Sequence, residues 1–430
     1  MNLLQIIALL ISLTAVFAYA NHRWIKLPTT IGVMIIAMLM SLGLMALDAM
    51  GLHVQGFAKD LLESLDFDAA LMQVMLSFLL FAGALHVNLN DLAQQKSVIG
   101  LLASFGVVLS TFLVGTASFY LFKALGLEVS YIFCLLFGAL ISPTDPIAVL
   151  GILKTAGAPK SLETKVVGES LFNDGVGVVV FLVLFEIAVE GQDPSVGHIA
   201  FLFAEEAIGG AILGFILGWM VYRMLKTVDN YTVEVLLTLA LVMGGYALAS
   251  SLHMSGPIAM VVAGLLIGNQ GRDFAMSEKT REHLDTFWEL VDEILNAVLF
   301  VFIGLEILIL SLAGSYVMAG LIAFPMLLLC RFAAVGLPIS VLKKYREFSP
   351  GVIKIMTWGG IRGGISVALA LSIPPLMKVE DASVETPRDL ILTVTYIIVV
   401  ISILLQGLTI GKLIKANIGD AASDETKSDH

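Results

Sequence analysis

Ser142-Pro143-Thr144-Asp145-Pro146 lies inside an otherwise apolar run that spans 131–153. A carboxylate in such a segment is expensive unless it faces a partner or a water-filled cavity. Each proline lacks a backbone N–H and clashes with the preceding turn, so the helix breaks beside the carboxylate. One run further on, Gly168-Glu169-Ser170-Leu171-Phe172-Asn173-Asp174-Gly175 sets two more carboxylates within an apolar segment. A third interruption, Trp358-Gly359-Gly360-Ile361-Arg362-Gly363-Gly364, falls in the run 352–373.

Composition says what surrounds these motifs. Of 430 residues, 58% are hydrophobic and 14% charged, where a soluble chain carries about a quarter charged residues. Mean hydropathy is +0.95. Apolar runs near the ~20 residues that cross a bilayer core are read at 3–20, 28–47, 69–87, 98–121, 131–153, 164–188, 199–221, 232–252, 255–269, 286–309, 315–341, 352–373 and 390–411. The fold class is therefore an all-α polytopic membrane protein of about 13 transmembrane helices. Leu3 to Ala20 is kept as a span, because it has no basic leader and Asn21-His22-Arg23 is a poor cleavage site. Trp288, Glu289, Asp292 and Glu293 place the start of the tenth run at the interface. The net charge of −11 arises mostly in loops and points to no nucleic-acid partner; the partner these runs require is the lipid bilayer. Cys134 and Cys330 both sit in apolar runs and read as packed thiols. There is no CxxC, HExxH or P-loop pattern.

Charge sets the topology. With the N-terminus on one face, that face carries Lys59, Lys123, Lys378 and Arg388, while 18 of the 24 Lys and Arg fall on the other. The positive-inside rule then puts the N-terminus outside and the C-terminus in the cytoplasm of a cell (inner) membrane. The breaks in spans five and twelve are seven spans apart, so those segments cross in opposite directions. Two inverted six-helix repeats follow, with discontinuous helices 5 and 12 crossing near the midplane, which is where such folds bind ions.

The residues at the breaks have the chemistry of a cation site. A hard monovalent cation wants oxygens, and Asp174, Ser170, Thr144 and the carbonyls of the Pro143–Pro146 break supply them. A carboxylate with no partner in a low-dielectric site is stabilised by a proton or by a cation, so one group can carry both in turn. Asp145 either caps the second half-helix or ligates the ion directly or through water. Asn173 orients Asp145 and the crossing. Arg331, in Leu328-Leu329-Cys330-Arg331-Phe332, needs a buried partner, and Glu169 is the leading candidate. Arg362 neutralises the C-terminal dipoles of the half-helices. Glu306 and Glu186 snorkel at span ends or face the outer vestibule, and His86 and His283 are solvated. A channel would need a continuous polar lining, and an enzyme a nucleophile–base pair or metal ligands; neither is present, and no resident cofactor is expected.

Taken together, the three motifs resemble those of the NhaP-type sodium/proton antiporters, monovalent cation:proton antiporters related to the eukaryotic sodium–hydrogen exchangers. The likeness runs over nearly the whole chain. It implies a homodimer whose membrane domain fills 1–411. Within it, a core near 98–188 and 315–411 moves against a dimerisation domain near 3–87 and 232–309, joined by a connector at 199–221. A short disordered cytoplasmic tail, 412–430, follows. It further implies that Asp174 carries ion and proton, that Ser170 and Thr144 complete the Na+ site, that Asp145 and Asn173 support the unwound crossing, and that Glu169 pairs with Arg331. The activity implied is exchange of Na+ or Li+ for H+ by alternating access, in the service of pH and sodium homeostasis. The Asn173-Asp174 pair resembles the electroneutral branch. Many relatives carry a Leu-Phe-Glu run in the third span, where this chain reads Leu80-Phe81-Ala82. That substitution keeps a K+/H+ exchanger of the same fold as the alternative.

Overall fold

Hydrocarbon offers no partner to backbone N–H and C=O groups, so apolar runs must satisfy them internally as helices. The computed structural model describes residues 3–51, 70–145, 149, 153, 158–190, 197, 201, 203–272, 276–346, 348–379 and 382–428. In chain order come α1 (Leu3–Ala20), α2 (Thr29–Ala49), α3 (Ala70–Leu85), α4 (Leu89–Ala124), α5 (Tyr131–Ile141) and α6 (Lys160–Glu190). The connecting helix α7 (Ala204–Leu225) leads to α8 (Tyr231–Ser251), α9 (Gly256–Gly271), α10 (Glu278–Glu306) and α11 (Gly314–Leu342). The chain ends with α12 (Val352–Trp358), α13 (Gly364–Leu371), α14 (Arg388–Ile401) and α15 (Gly407–Ser428). Pro146 and most of the second half of the fifth run lie outside the described residues.

Seven described helices are individually long and apolar enough to cross a membrane. The rest are short, charged at one end or broken, as the sequence motifs require. Helix α4 starts nine residues before the expected 98, because the Asn88 side chain accepts from the N–H groups of Asn90 (2.8 Å) and Asp91 (3.2 Å) and caps a polar first turn. Helix α10 likewise starts at Glu278, capped by Ser277. Trp288 is not interfacial: it is fully buried, its indole donates to Thr238 Oγ1 at 3.1 Å, and its ring packs on Phe81. The first turns of α10 are amphipathic, so Glu289 and Glu293 face outward while Trp288 faces in. Glu306, expected at a span end, is fully buried as well. The last helix runs on to Ser428; the Ala, Lys and Glu residues after 412 favour helix and no proline interrupts them. A two-stranded antiparallel hairpin, β1 (Leu376–Val379) and β2 (Ala382–Glu385), was not expected from the sequence. Cys134 and Cys330 are unpaired thiols.

Helices approach closely where a side chain is missing. A Cβ on Gly138 of α5 would lie 2.3 Å from the Thr111 carbonyl of α4, and one on Gly268 of α9 would lie 2.0 Å from the Leu85 carbonyl of α3. Small residues at such points are how membrane helices pack without a hydrophobic driving force. Helix α5 is held between α4 and α6, α11 lies on α4 and α14, and α7 packs on α8 and α9. Helices α3 and α10 contact each other and close the space in front of α6 and α13.

These contacts predict that Gly268→Ala will lower the melting temperature in detergent by the equivalent of roughly 1–3 kcal/mol, the usual penalty for overpacking. Gly244→Ala, with open space around the new methyl, should leave it unchanged or raise it by up to about 1 kcal/mol through helix propensity. Equal responses of the two variants would show that close backbone approach is not what Gly268 provides.

Candidate ion-binding site

The site begins where α5 stops. Pro143 cannot continue the helix, and Ser142 ends it, its hydroxyl donating back to Gly138 O at 2.7 Å and lying 2.9 Å from Ser110 Oγ. The chain then runs non-helically through Asp145 and meets the second break: Asp145 N–H donates to Ile361 O at 2.8 Å. Arg362, buried, donates through Nη1 to the carbonyls of Ser142 and Pro143, the loose end of α5. Its own N–H donates to Ser402 Oγ at 3.0 Å. Ser402 and Gln406 bound a π turn between α14 and α15, and Gln406 Nε2 donates to Trp358 O at 2.8 Å, the loose end of α12. The indole of Trp358 donates to Thr409 Oγ1 at 2.9 Å.

Two glycines of the second break make room for charge. A Cβ on Gly363 would sit 2.6 Å from Asp145 Oδ2, and one on Gly360 would sit 2.6 Å from Arg331 Nε. Arg331 is thereby laid against Glu169 as a bidentate pair, Nη1 to Oε1 at 2.7 Å and Nη2 to Oε2 at 2.8 Å, with Nη2 also donating to Met356 O at 3.3 Å. The two residues are 6% and 2% exposed, so the pair is desolvated and joins α6, α11 and the end of α12. Asn173, one turn along from Glu169, donates to Glu169 Oε1 (3.1 Å) and Thr144 Oγ1 (2.9 Å) and accepts from Thr144 N–H (3.2 Å). Thr144 Oγ1 lies 2.9 Å from Ser170 Oγ.

Asp174 stands apart from this network. It is 5% exposed, and its Oδ1 is enclosed with no hydrogen-bond partner. It borders a cavity of about 70 Å³ together with Pro143, Thr144, Asp145, Asn296, Gly363 and Ser366, room for about two waters. Leu76, Leu79, Leu299 and Ile365 border both this cavity and a wider one of about 300 Å³, which reaches Glu206 and His253. By helix alternation that wider cavity lies toward the face carrying the N-terminus. Among the described residues no three His, Cys, Asp or Glu side chains are arranged to hold a metal ion; the cavity offers carboxylate and hydroxyl oxygens, which suit a hard monovalent cation.

The structure thus brings Thr144, Asp145, Glu169, Ser170, Asn173, Asp174, Arg331 and Arg362 into one cluster. It separates them into two sets. Thr144, Asp145 and Asp174 border the cavity, whereas Ser170 lies behind Thr144 and Asn173 bonds Thr144 and Glu169. Ala82 is fully buried away from the cavity wall, to which α3 contributes Leu76, Leu79, Leu80 and Gly83. Sequence reasoning missed Ser402, Gln406 and Asn296. The signal was there for Gln406 and Asn296: each is a lone amide in an apolar stretch, the pattern that the carboxylates were noticed for.

The chain has relatives among known proteins. The profile of the family described as sodium/hydrogen exchanger, transmembrane, matches residues 11–416, and the chain belongs to that family of transporters. It is 51% identical over 418 residues to the Na(+)/H(+) antiporter NhaP of Pseudomonas aeruginosa, covering 96% of each chain. It is 36% identical to the Na(+)/H(+) antiporter NhaH of Halobacillus dabanensis, over 96% of this chain and 97% of that one. The fold superposes on the sodium proton antiporter MjNhaP1 of Methanocaldococcus jannaschii with a TM-score of 0.74 at 20% identity, covering 97% of this chain and 100% of the other.

The buried pair generates a test. Glu169→Ala should leave Arg331 uncompensated and lower stability by about 3–5 kcal/mol, read as folded yield and melting temperature in detergent. Glu169→Ala/Arg331→Ala should recover part of the loss. A double variant that behaves as the sum of the singles would mean that the pair contributes no coupling.

Proposed function

We propose that this chain exchanges Na+ or Li+ for H+ across the cell membrane by alternating access. One observation carries the reading: a buried carboxylate, Asp174, has an oxygen with no protein partner and faces a small cavity at the crossing of two broken helices. Around it, Asn173, Glu169, Arg331 and Arg362 are engaged in bonds that hold the crossing together. The Na+/H+ antiport named for relatives across nearly the full chain supports the same reading.

The chemistry follows from what is left open. With a proton on Asp174 the cavity is neutral there and needs no cation. When the proton leaves, the uncompensated charge in a low-dielectric cavity draws in a cation, with Thr144 and Asp145 supplying further oxygen. Ser170 supports the Thr144 hydroxyl. Proton and cation therefore compete for one group, and neither can cross while the other is held. Glu169–Arg331, Asn173 and Arg362 keep the crossing rigid while it moves. No resident cofactor is required; the cation is cargo.

The face rich in Lys and Arg is assigned to the cytoplasm of an inner membrane, with the N-terminus outside. The core of spans near 98–188 and 315–411 moves against spans near 3–87 and 232–309, which also form the homodimer interface, with 199–221 between them. One cation of charge +1 replaces one proton, so the cycle moves no net charge.

Asp174→Asn in purified, reconstituted protein should abolish both cation-driven proton release and proton-driven cation uptake. Persistent exchange would end the single-carboxylate reading. Sodium and lithium, not potassium, should drive the wild type in a cation series. Exchange by the wild type should not respond to an imposed membrane potential, although each charge moved would couple about 2.3 kcal/mol per 100 mV. Acceleration by an inside-negative potential would show that more than one proton moves per cation.

A further inference from the structure

The wide cavity of about 300 Å³ has a single carboxylate on its border, Glu206, and no Lys or Arg. Most of the rest is apolar, from Met75 of α3 through Phe181 of α6 to Leu369 of α13. The mouth is polar: Ser250 in the last turn of α8, His253 just beyond it and Ser372 at the end of α13 border the cavity and are exposed. The floor is shared with the ion cavity, because Leu76, Leu79, Leu299 and Ile365 border both. The wide cavity therefore stands between the face carrying the N-terminus and Asp174, separated from the ion cavity by those four apolar side chains.

Glu206 lies in the π turn Ala204–Gly209 that opens α7, and its backbone is fixed on the cavity rim. Ser255 N–H donates to Glu206 O at 3.1 Å. A Cβ on Gly210 would lie 2.6 Å from Ser255 O, and one on Gly214 would lie 2.2 Å from Ala259 O, so α7 is pressed against the start of α9. The Glu206 side chain is half-buried, and burying part of a carboxylate among apolar groups costs solvation that packing does not require. Glu205, one position earlier, borders neither cavity. A negative charge set in a pocket with low-dielectric walls focuses its field along the pocket and raises the cation concentration there. We propose that Glu206 collects the cation at the face carrying the N-terminus and holds it in the wide cavity until the apolar floor opens toward Asp174. This rests on the antiport reading above. Glu206 does not border the ion cavity, so it governs arrival at one face and not the exchange of proton for cation on Asp174.

The test follows sodium-driven proton movement by the full-length chain in two preparations. In right-side-out vesicles added sodium meets the face carrying the N-terminus; in everted vesicles it meets the basic face. Glu206→Gln should raise the half-saturating sodium concentration about three- to tenfold in the first and leave it unchanged in the second, with a smaller change in maximal rate. Added inert salt should shrink that difference from the wild type, as it does for an exposed charge and not for a change of shape. Glu206→Asp, which keeps the charge, should restore most of the wild-type value. Glu206→Ala is measured alongside, so that poor folding of one neutral variant leaves the other to decide. Glu205→Gln should change neither face. His253→Asn suits the left-handed backbone at that position, φ 54°, and should leave half-saturation unchanged or lower it. Unchanged half-saturation in the neutral Glu206 variants, an equal shift at both faces, or the same rise from Glu205→Gln or His253→Asn overturns collection by Glu206 while wild-type exchange stands. A wild type without sodium-driven proton movement removes the antiport reading itself.

Discussion

Breaking two helices inside hydrocarbon exposes backbone groups that lipid cannot satisfy, and Arg362, Gln406 and the two breaks themselves answer that need at the centre of this protein. The loose carbonyls of α5 are taken by the Arg362 guanidinium, the loose carbonyl of α12 by Gln406, and the two breaks close on each other through Asp145 N–H and Ile361 O. Each break is therefore stabilised by the other repeat. Besides the support the second break draws from Gln406 in its own half, these bonds join residues more than 200 positions apart in the chain.

Against that background the exception is informative. Glu169 has Arg331, Asn173 has Thr144 and Glu169, Thr144 has Ser170, and Asp174 Oδ1 has nothing in the protein. An enclosed carboxylate oxygen that borders a cavity and has no hydrogen-bond partner in the protein is available to something mobile. The same logic separates residues that look alike in sequence. Glu169 and Asp174 are five positions apart on one helix and so on different faces of it; one is locked into a bidentate pair with Arg331 and the other faces a cavity.

Much of this was legible in the sequence because hydrocarbon enforces simple rules: run length pointed to helices, and prolines and glycines marked the breaks. Charged residues inside apolar runs pointed to the residues that the fold clusters, down to the Glu169–Arg331 contact. What stayed hidden depended on three dimensions. Trp288 looks interfacial among acidic neighbours, but the face of α10 it occupies turns inward onto Phe81. Ser402 and Gln406 look like ordinary helix polar residues until the π turn brings them against Arg362 and Trp358 at the second break. Whether Ser170 or Asp145 borders the cavity depends on which side of Thr144 each falls, and no spacing rule fixes that.

The π turns carry a consequence for how the chain tolerates change. Such a turn holds one residue more than an α turn, and one residue is about 100° of rotation at 3.6 per turn. The turn at Ser402–Gln406 thus sets the phase of everything after it, including Thr409 beneath Trp358. In that stretch the number of residues is itself part of the fold. Removing a single one would swing the following helix by more than a quarter-turn and present a different face to the crossing, an injury that no side-chain substitution in the same segment can reproduce.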